Sequence, residues 1–151
     1  MENEPLVVRQ DRISYTAALA VVLAGIARAK ELAIDVSVCV TDPSGGIVAA
    51  VRMNGTHAAT INAARGKAYY SARSGRTTQD FVENRLVKDE VLWRALSSNN
   101  ETFLVPGGFP LLVDGACIGG VGVSGGKYED DVKIGEAAAA HFGAVVEGRA
   151  G

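Results

Sequence analysis

PGGFPLLVDGACIGGVGVSGG, residues 106–126, places eight of the chain's eighteen glycines inside a stretch that otherwise reads as strand. Glycine in a strand loses extra entropy on ordering and gives its neighbours nothing to pack on. Repeated glycine there therefore marks a bulge or a close approach of another body to the backbone. Phe109–Val113 and Ala116–Ser124 are expected strands, joined by the two-residue hairpin signal Asp114-Gly115. The approaching body is a ligand, a helix or another subunit, and the glycines locate it without naming it.

Working outward, Phe103–Val105 reads as a further short strand, preceded by a Ser97–Asn100 loop. Toward the N-terminus, Val36–Thr41 and Ile47–Arg52 form a second hairpin around the turn-rich Asp42-Pro43-Ser44-Gly45-Gly46. Ile13, Ala17, Ala20, Ala24 and Ala27 recur at helical spacing, predicting a helix from Asp11 or Ser14 to Ala33. A second helix spans Thr56–Ser74, with Ile61, Ala64, Ala68 and Ala72 on one face, small enough to approach a sheet closely, and Gly75 placed to end it. Thr77 or Thr78 caps a further helical segment through Leu96, and Glu129–Val146 forms the last helix behind an acidic first turn. The order predicts an α+β fold with a mainly antiparallel, five-stranded sheet flanked by helices. Residues 1–10 read as a tail or edge segment and residues 11–151 as one domain.

A chain of 151 residues buries about two thirds of the surface its unfolded form exposes, enough for a core without staples. The formal net charge of −2 carries no basic excess of the kind that nucleic-acid or membrane-surface binding requires. The longest mostly apolar run, Ala17–Ala27, is too short to span a bilayer, and the start lacks a basic signal-peptide region, so a cytoplasmic protein is expected. Cys39 and Cys117 stand apart in apolar runs and read as buried small hydrophobes, with no zinc-type spacing.

Three segments in order, VSVCVTDPSGGIVAAVRMNG, AARGKAYYSA and the glycine-rich stretch followed by an acidic helix start, resemble the GlcG/HbpS family, the haem-binding-protein-like domains also found at the C-terminal end of PduO. The resemblance covers residues 13–146. It implies a profilin-like αβα arrangement, assembly into dimers or larger homo-oligomers, and a ligand near the glycine-rich strands, with haem or a corrinoid-related role in some members.

Beside that resemblance, the residues nominate a site of their own. A regular helix puts Asn62, Arg65, Tyr69, Arg73 and Arg76 along one stripe, and Arg offers planar paired donors to carboxylates. The expected ligand is accordingly a small organic anion or the propionates of haem. Lys67 projects from a flank of this helix, either as a desolvated base or as a clamp to Asp130 or Glu129. His57, just before the helix, is the candidate for haem iron or for proton transfer. Arg52 ends the neighbouring strand, while Gly107, Gly108, Ser124, Gly125 and Gly126 offer backbone amides and a hydroxyl to an anion. His141 and Met53 read as ordinary surface and core residues, and no c-type haem motif is present. Three readings follow: a small-ligand or tetrapyrrole-binding protein; a cofactor-independent lyase, isomerase or hydratase in which His57 or Lys67, with Asp130, moves a proton while Arg65 holds a carboxylate; or an assembly module whose glycine-rich surface is buried between subunits.

Overall fold

Ser14 sets the start of the first helix. Its hydroxyl accepts the Ala17 amide, satisfying one of the donors a helix leaves free at its N-terminus. The resulting α1 (Tyr15–Glu31) buries Ala18, Val21, Val22, Gly25 and Ala29, a three-and-four spacing that makes one apolar face. The structure, a computed structural model, describes residues 3–150. Residues 3–10 are exposed and form neither helix nor strand; Met1, Glu2 and Gly151 lie outside the described residues.

After α1, strands β1 (Ser37–Thr41) and β2 (Ile47–Arg52) pair antiparallel. Asp42 holds the turn between them, its Oδ1 accepting the Ser44 amide at 2.9 Å, the Ser44 hydroxyl at 2.6 Å and the Gly46 amide at 3.1 Å. Helix α2 (Thr60–Ser74) follows and stops at Gly75, whose φ of +68° is the left-handed ending that glycine allows. Strands β3 (Gly108–Val113) and β4 (Ala116–Ser124) meet across Asp114 and Gly115, with φ of +50° and +80°, as in a type I′ turn. The sheet order is β2-β1-β4-β3, antiparallel throughout.

Alternation along the strands divides the sheet into two unlike faces. Val38, Val40, Leu111, Val121 and Val123 point toward α1 and α5 (Tyr128–Ala150), where they meet Val21, Val22, Ile134, Ala138 and Phe142 in the main core. Each such side chain, fully buried, contributes about 1.5–3 kcal/mol. The opposite face carries Gly108, Gly120 and Gly122, and α2 lies directly on it. A Cβ placed on Gly120 would sit 2.6 Å from the Ala72 nitrogen, and one on Gly122 would sit 2.6 Å from the Ala68 nitrogen. The body that approaches the glycine-rich strands is this helix.

Two expectations require correction. Among the described residues the sheet has four strands, not five, because Phe103–Val105 crosses α2 instead of joining an edge. Gly66 admits it: a Cβ there would lie 2.6 Å from the Phe103 amide nitrogen. The segment from Thr77 to Leu96 is also not one helix. Thr77 caps α3 (Thr78–Asn84), a 3-10 turn covers Leu86–Lys88, and α4 (Glu90–Ser97) begins afresh behind Asp89, whose side chain accepts the Leu92 amide. Extended φ values of −131° at Arg85 and −135° at Asp89 interrupt the helical path.

Candidate functional site

The sequence-nominated residues gather at one end of the sheet, where β2 and β4 finish and β1 and β3 begin, but they separate into a buried group and a solvent-facing group.

Lys67 anchors the buried group. Only 1% of it is exposed, and its Nζ donates to the Val123 carbonyl at 2.6 Å and to Asp131 Oδ2 at 3.0 Å. Asp131, 2% exposed, uses its other oxygen to accept the Gly126 amide at 3.0 Å. Gly107 closes around the pair. Its φ is +125°, its carbonyl accepts the Val123 amide, and a Cβ there would stand 3.0 Å from Lys67 Nζ. The Gly108 amide donates to Thr78 Oγ1 at 2.9 Å, so the amides of Gly108 and Gly126 are both committed within the protein. Burial pushes the Lys67 ammonium below its ordinary range and the Asp131 carboxyl above its own, while mutual attraction and their hydrogen bond oppose both shifts. The geometry is that of a clamp joining α2, β4 and α5.

The partner of Lys67 is therefore Asp131, not Asp130 or Glu129. Helix α5 begins at Tyr128, so Asp131 shares an inward face with Ile134, Gly135 and Ala138, three, four and seven residues on. Glu129 is turned to solvent, and Asp130 lies 3.8 Å from Lys133. That phase, readable from the buried Ile134 and Ala138, is the signal that singles out the third acid.

Solvent reaches the second group. Helix α2 covers β4, β3 and β1 but leaves Ala50 and Arg52 of β2 exposed, a solvent-open strip beside the helix, termed the trough. Arg52 Nη1 donates to the Thr56 carbonyl at 2.9 Å, tying the strand end to the loop that enters α2. In that loop His57 is exposed and its Nδ1 accepts the Ala59 amide at 3.1 Å. With Nδ1 so occupied, the neutral ring carries its proton on Nε2 and presents a donor. A chain of hydroxyls, Ser37 to Thr60 at 2.8 Å and Thr60 to Thr56 at 3.3 Å, lies beneath, a feature not anticipated from the sequence. Ser124 pairs with Ser37 across the strands, and Gly125, at φ +139°, passes beside Thr56 and Asp35.

The expected basic stripe on α2 is only partly present. Arg65 is half-buried, ion-paired with Glu101 at 3.3 Å, and its charge draws down the Cys39 thiol, which burial nonetheless pushes up to about 12. Arg73 stacks over Tyr69 at 5.4 Å, and the Tyr69 ring packs against Gly45 of the β1–β2 turn. Arg76 follows the left-handed Gly75 and leaves the stripe. Met53 packs on the core with its sulfur accepting the Val36 amide, and His141 is exposed in the groove between α1 and α5.

With fold and site in place, the likeness to known proteins is specific. The sequence profile described as haem degrading protein HbpS-like matches residues 13–140. The chain belongs to the HbpS-like family. One relative, an uncharacterised 15.0 kDa protein of Citrobacter freundii encoded in the dhaT–dhaS intergenic region, is 27% identical over 126 residues, 83% of this chain and 89% of its own. Among solved structures, the Klebsiella pneumoniae protein ORFY superposes with a TM-score of 0.84 at 23% identity, covering 93% of this chain and 97% of that one. A double mutant of Streptomyces reticuli HbpS gives 0.80 at 24%, covering 89% of each chain. A PduOC–haem complex gives 0.77 at 25%, covering 86% and 94%. These structures share the α+β fold, and among the described residues no helix is long and apolar enough to cross a membrane.

Proposed function

We propose that this HbpS-like protein binds a haem-type tetrapyrrole or a small organic anion through the ligand's carboxylates, in the open trough between α2 and β2. Arg52, Arg65 and His57 are the donors. The observations that support this reading are the exposed strand-end guanidinium of Arg52, the exposed imidazole of His57 and the part-exposed guanidinium of Arg65 on α2, beside the stretch of β2 that α2 leaves uncovered. Membership in the HbpS-like family and likeness to a PduOC–haem complex support tetrapyrrole as the ligand class.

The donor set suits propionates. It does not suit iron, because His57 Nε2 can ligate a metal only if Nδ1 gives up the Ala59 amide and takes the proton instead. Loss of Arg65 to a ligand also releases Glu101, so the ion pair is a competitor that the incoming carboxylate displaces. Homo-oligomeric assembly and a cytoplasmic setting belong to the same proposal.

The deciding experiment is parallel titration with haemin and with metal-free protoporphyrin IX, followed by absorbance and fluorescence quenching. Carboxylate anchoring predicts comparable affinities for the two. The Arg52→Ala/Arg65→Ala variant should bind each about 10- to 100-fold more weakly, from charge-assisted hydrogen bonds of about 1.5–3 kcal/mol. Unchanged affinity in that variant would place the ligand elsewhere.

A further inference from the structure

Helix α4 is amphipathic yet buries none of its eight residues. Its apolar side faces the connector 99–104 across a cavity of about 300 Å³, at the lower end of the range for small-molecule pockets. Leu86, Leu96 and Leu104 form the aliphatic part of the wall, and Trp93 and Phe103, 60% and 45% exposed, stand at its aromatic part. Exposed aromatic rings beside a void are costly in water and favourable against a flat partner.

Polar groups give the pocket a direction. Thr102 is a lining residue, and its hydroxyl is shielded from solvent with no hydrogen-bond partner among the described residues. That hydroxyl has no surface open to the cavity, so Thr102 lines the wall through its other atoms. Asn99 also lines the cavity. Its carbonyl accepts the Glu101 amide at 2.7 Å, leaving the NH2 group free to donate. Ser97 is already committed to the Trp93 carbonyl at 2.7 Å. The pocket therefore combines a flat apolar wall with one amide donor, that of Asn99.

We infer that the cleft between α4 and residues 99–104 is a second binding site, for a planar one- or two-ring aromatic molecule whose edge carries a hydrogen-bond acceptor. The ring lies against Trp93 and Phe103, and the edge accepts from the Asn99 amide. The site is separate from the trough, with the connector residue Glu101 standing between the two.

Trp93 is the only tryptophan in the chain, so its emission reports on this pocket alone. Benzimidazole, a flat two-ring molecule with one N–H and one ring-nitrogen acceptor, is a suitable probe. Binding is measured by calorimetry and by protection of Trp93 from acrylamide quenching. The expected result is saturable protection at one benzimidazole per chain, about tenfold weaker in Asn99→Asp, which keeps an acceptor for the Glu101 amide and removes the donor, the effect of about one hydrogen bond. Phe103→Ala, a change at a half-exposed side chain, should weaken it comparably and keeps the test decisive if Asn99→Asp fails to fold. Non-saturable partitioning, binding without Trp93 protection, or equal affinity in both variants overturns the assignment. The trough variant Arg52→Ala should leave benzimidazole binding unchanged.

Discussion

Replacing Lys67 by Met removes one charge of a pair that is 1% and 2% exposed and leaves the Asp131 carboxylate buried without its cation. Breaking a buried pair from one side costs about 3–5 kcal/mol, because the remaining charge keeps its desolvation penalty. The Val123 carbonyl also loses its donor at 2.6 Å, placing the loss toward the upper part of that range. At about 2–4 °C of melting temperature per kcal/mol for a chain of this size, the expected fall is about 6–20 °C. Lys67→Met/Asp131→Asn keeps an oxygen for the Gly126 amide and removes the stranded charge, so it should recover part of the loss, with a coupling energy of about 2 kcal/mol. The pH dependence has a definite sign. In Lys67→Met the lowering influence of the ammonium on Asp131 is gone and burial raises its pKa further above 3.8, so the folded variant binds more protons than the unfolded chain. Its stability therefore falls as pH rises from 3.8 through the raised folded value, and the deficit against wild type is larger at pH 7 than near pH 4. Urea denaturation at both pH values measures this. A single-variant loss under about 1 kcal/mol, or strict additivity in the double variant, would refute the buried-clamp reasoning.

Gly122→Ala places a methyl 2.6 Å from the Ala68 nitrogen and should destabilise the fold by about 1–3 kcal/mol or more, whereas Gly115→Asn, in the open I′ turn where no atom lies within 4 Å, should cost less than 1 kcal/mol; chemical denaturation compares them directly. Asp42 is held below its usual range chiefly by the Ser44 hydroxyl, so the stability it contributes is present above pH 3.8 and lost as pH falls through the depressed folded value. The stability gap between wild type and Asp42→Ala should be about 1–3 kcal/mol at pH 7 and shrink below pH 3.8, as read by thermal melts across that interval.

The complementarity of α2 and the glycine-rich strands is legible in the sequence, because both partners are written in small residues: Ala64, Ala68 and Ala72 on one side, Gly120 and Gly122 on the other. So is the Asp114-Gly115 turn, whose two residues both take positive φ. Phe103–Val105 fails as a strand for a reason outside its own composition. Its aromatic and β-branched residues suit a sheet, but strand formation needs a free edge in register, and Gly66 offers a path over α2 instead. Choosing among Glu129, Asp130 and Asp131 turns on a helix phase of about 100° per residue, and so on the residue at which α5 starts. The split between Lys67 and His57 is likewise tertiary: both flank one helix, and only the packing of β4 and α5 decides which is sealed.

That split constrains any proton chemistry. A lowered lysine pKa is, taken alone, the property expected of a general base. A base must also reach the proton it removes, within about 2.6–3.2 Å. Lys67 spends its contacts on Val123 and Asp131, and reaching it from solvent requires α5 to separate from α2 and β4, which breaks the clamp. His57 has the opposite properties: it is exposed, and it is fixed by the Ala59 amide through Nδ1, which leaves Nε2 without a protein partner among the described residues. Under the proposed trough site, any proton transfer would therefore fall to His57 and not to Lys67, with Arg52 and Arg65 as the candidate carboxylate donors. Lys67 acts on that site only by keeping α2, and so Arg65, in place against the sheet.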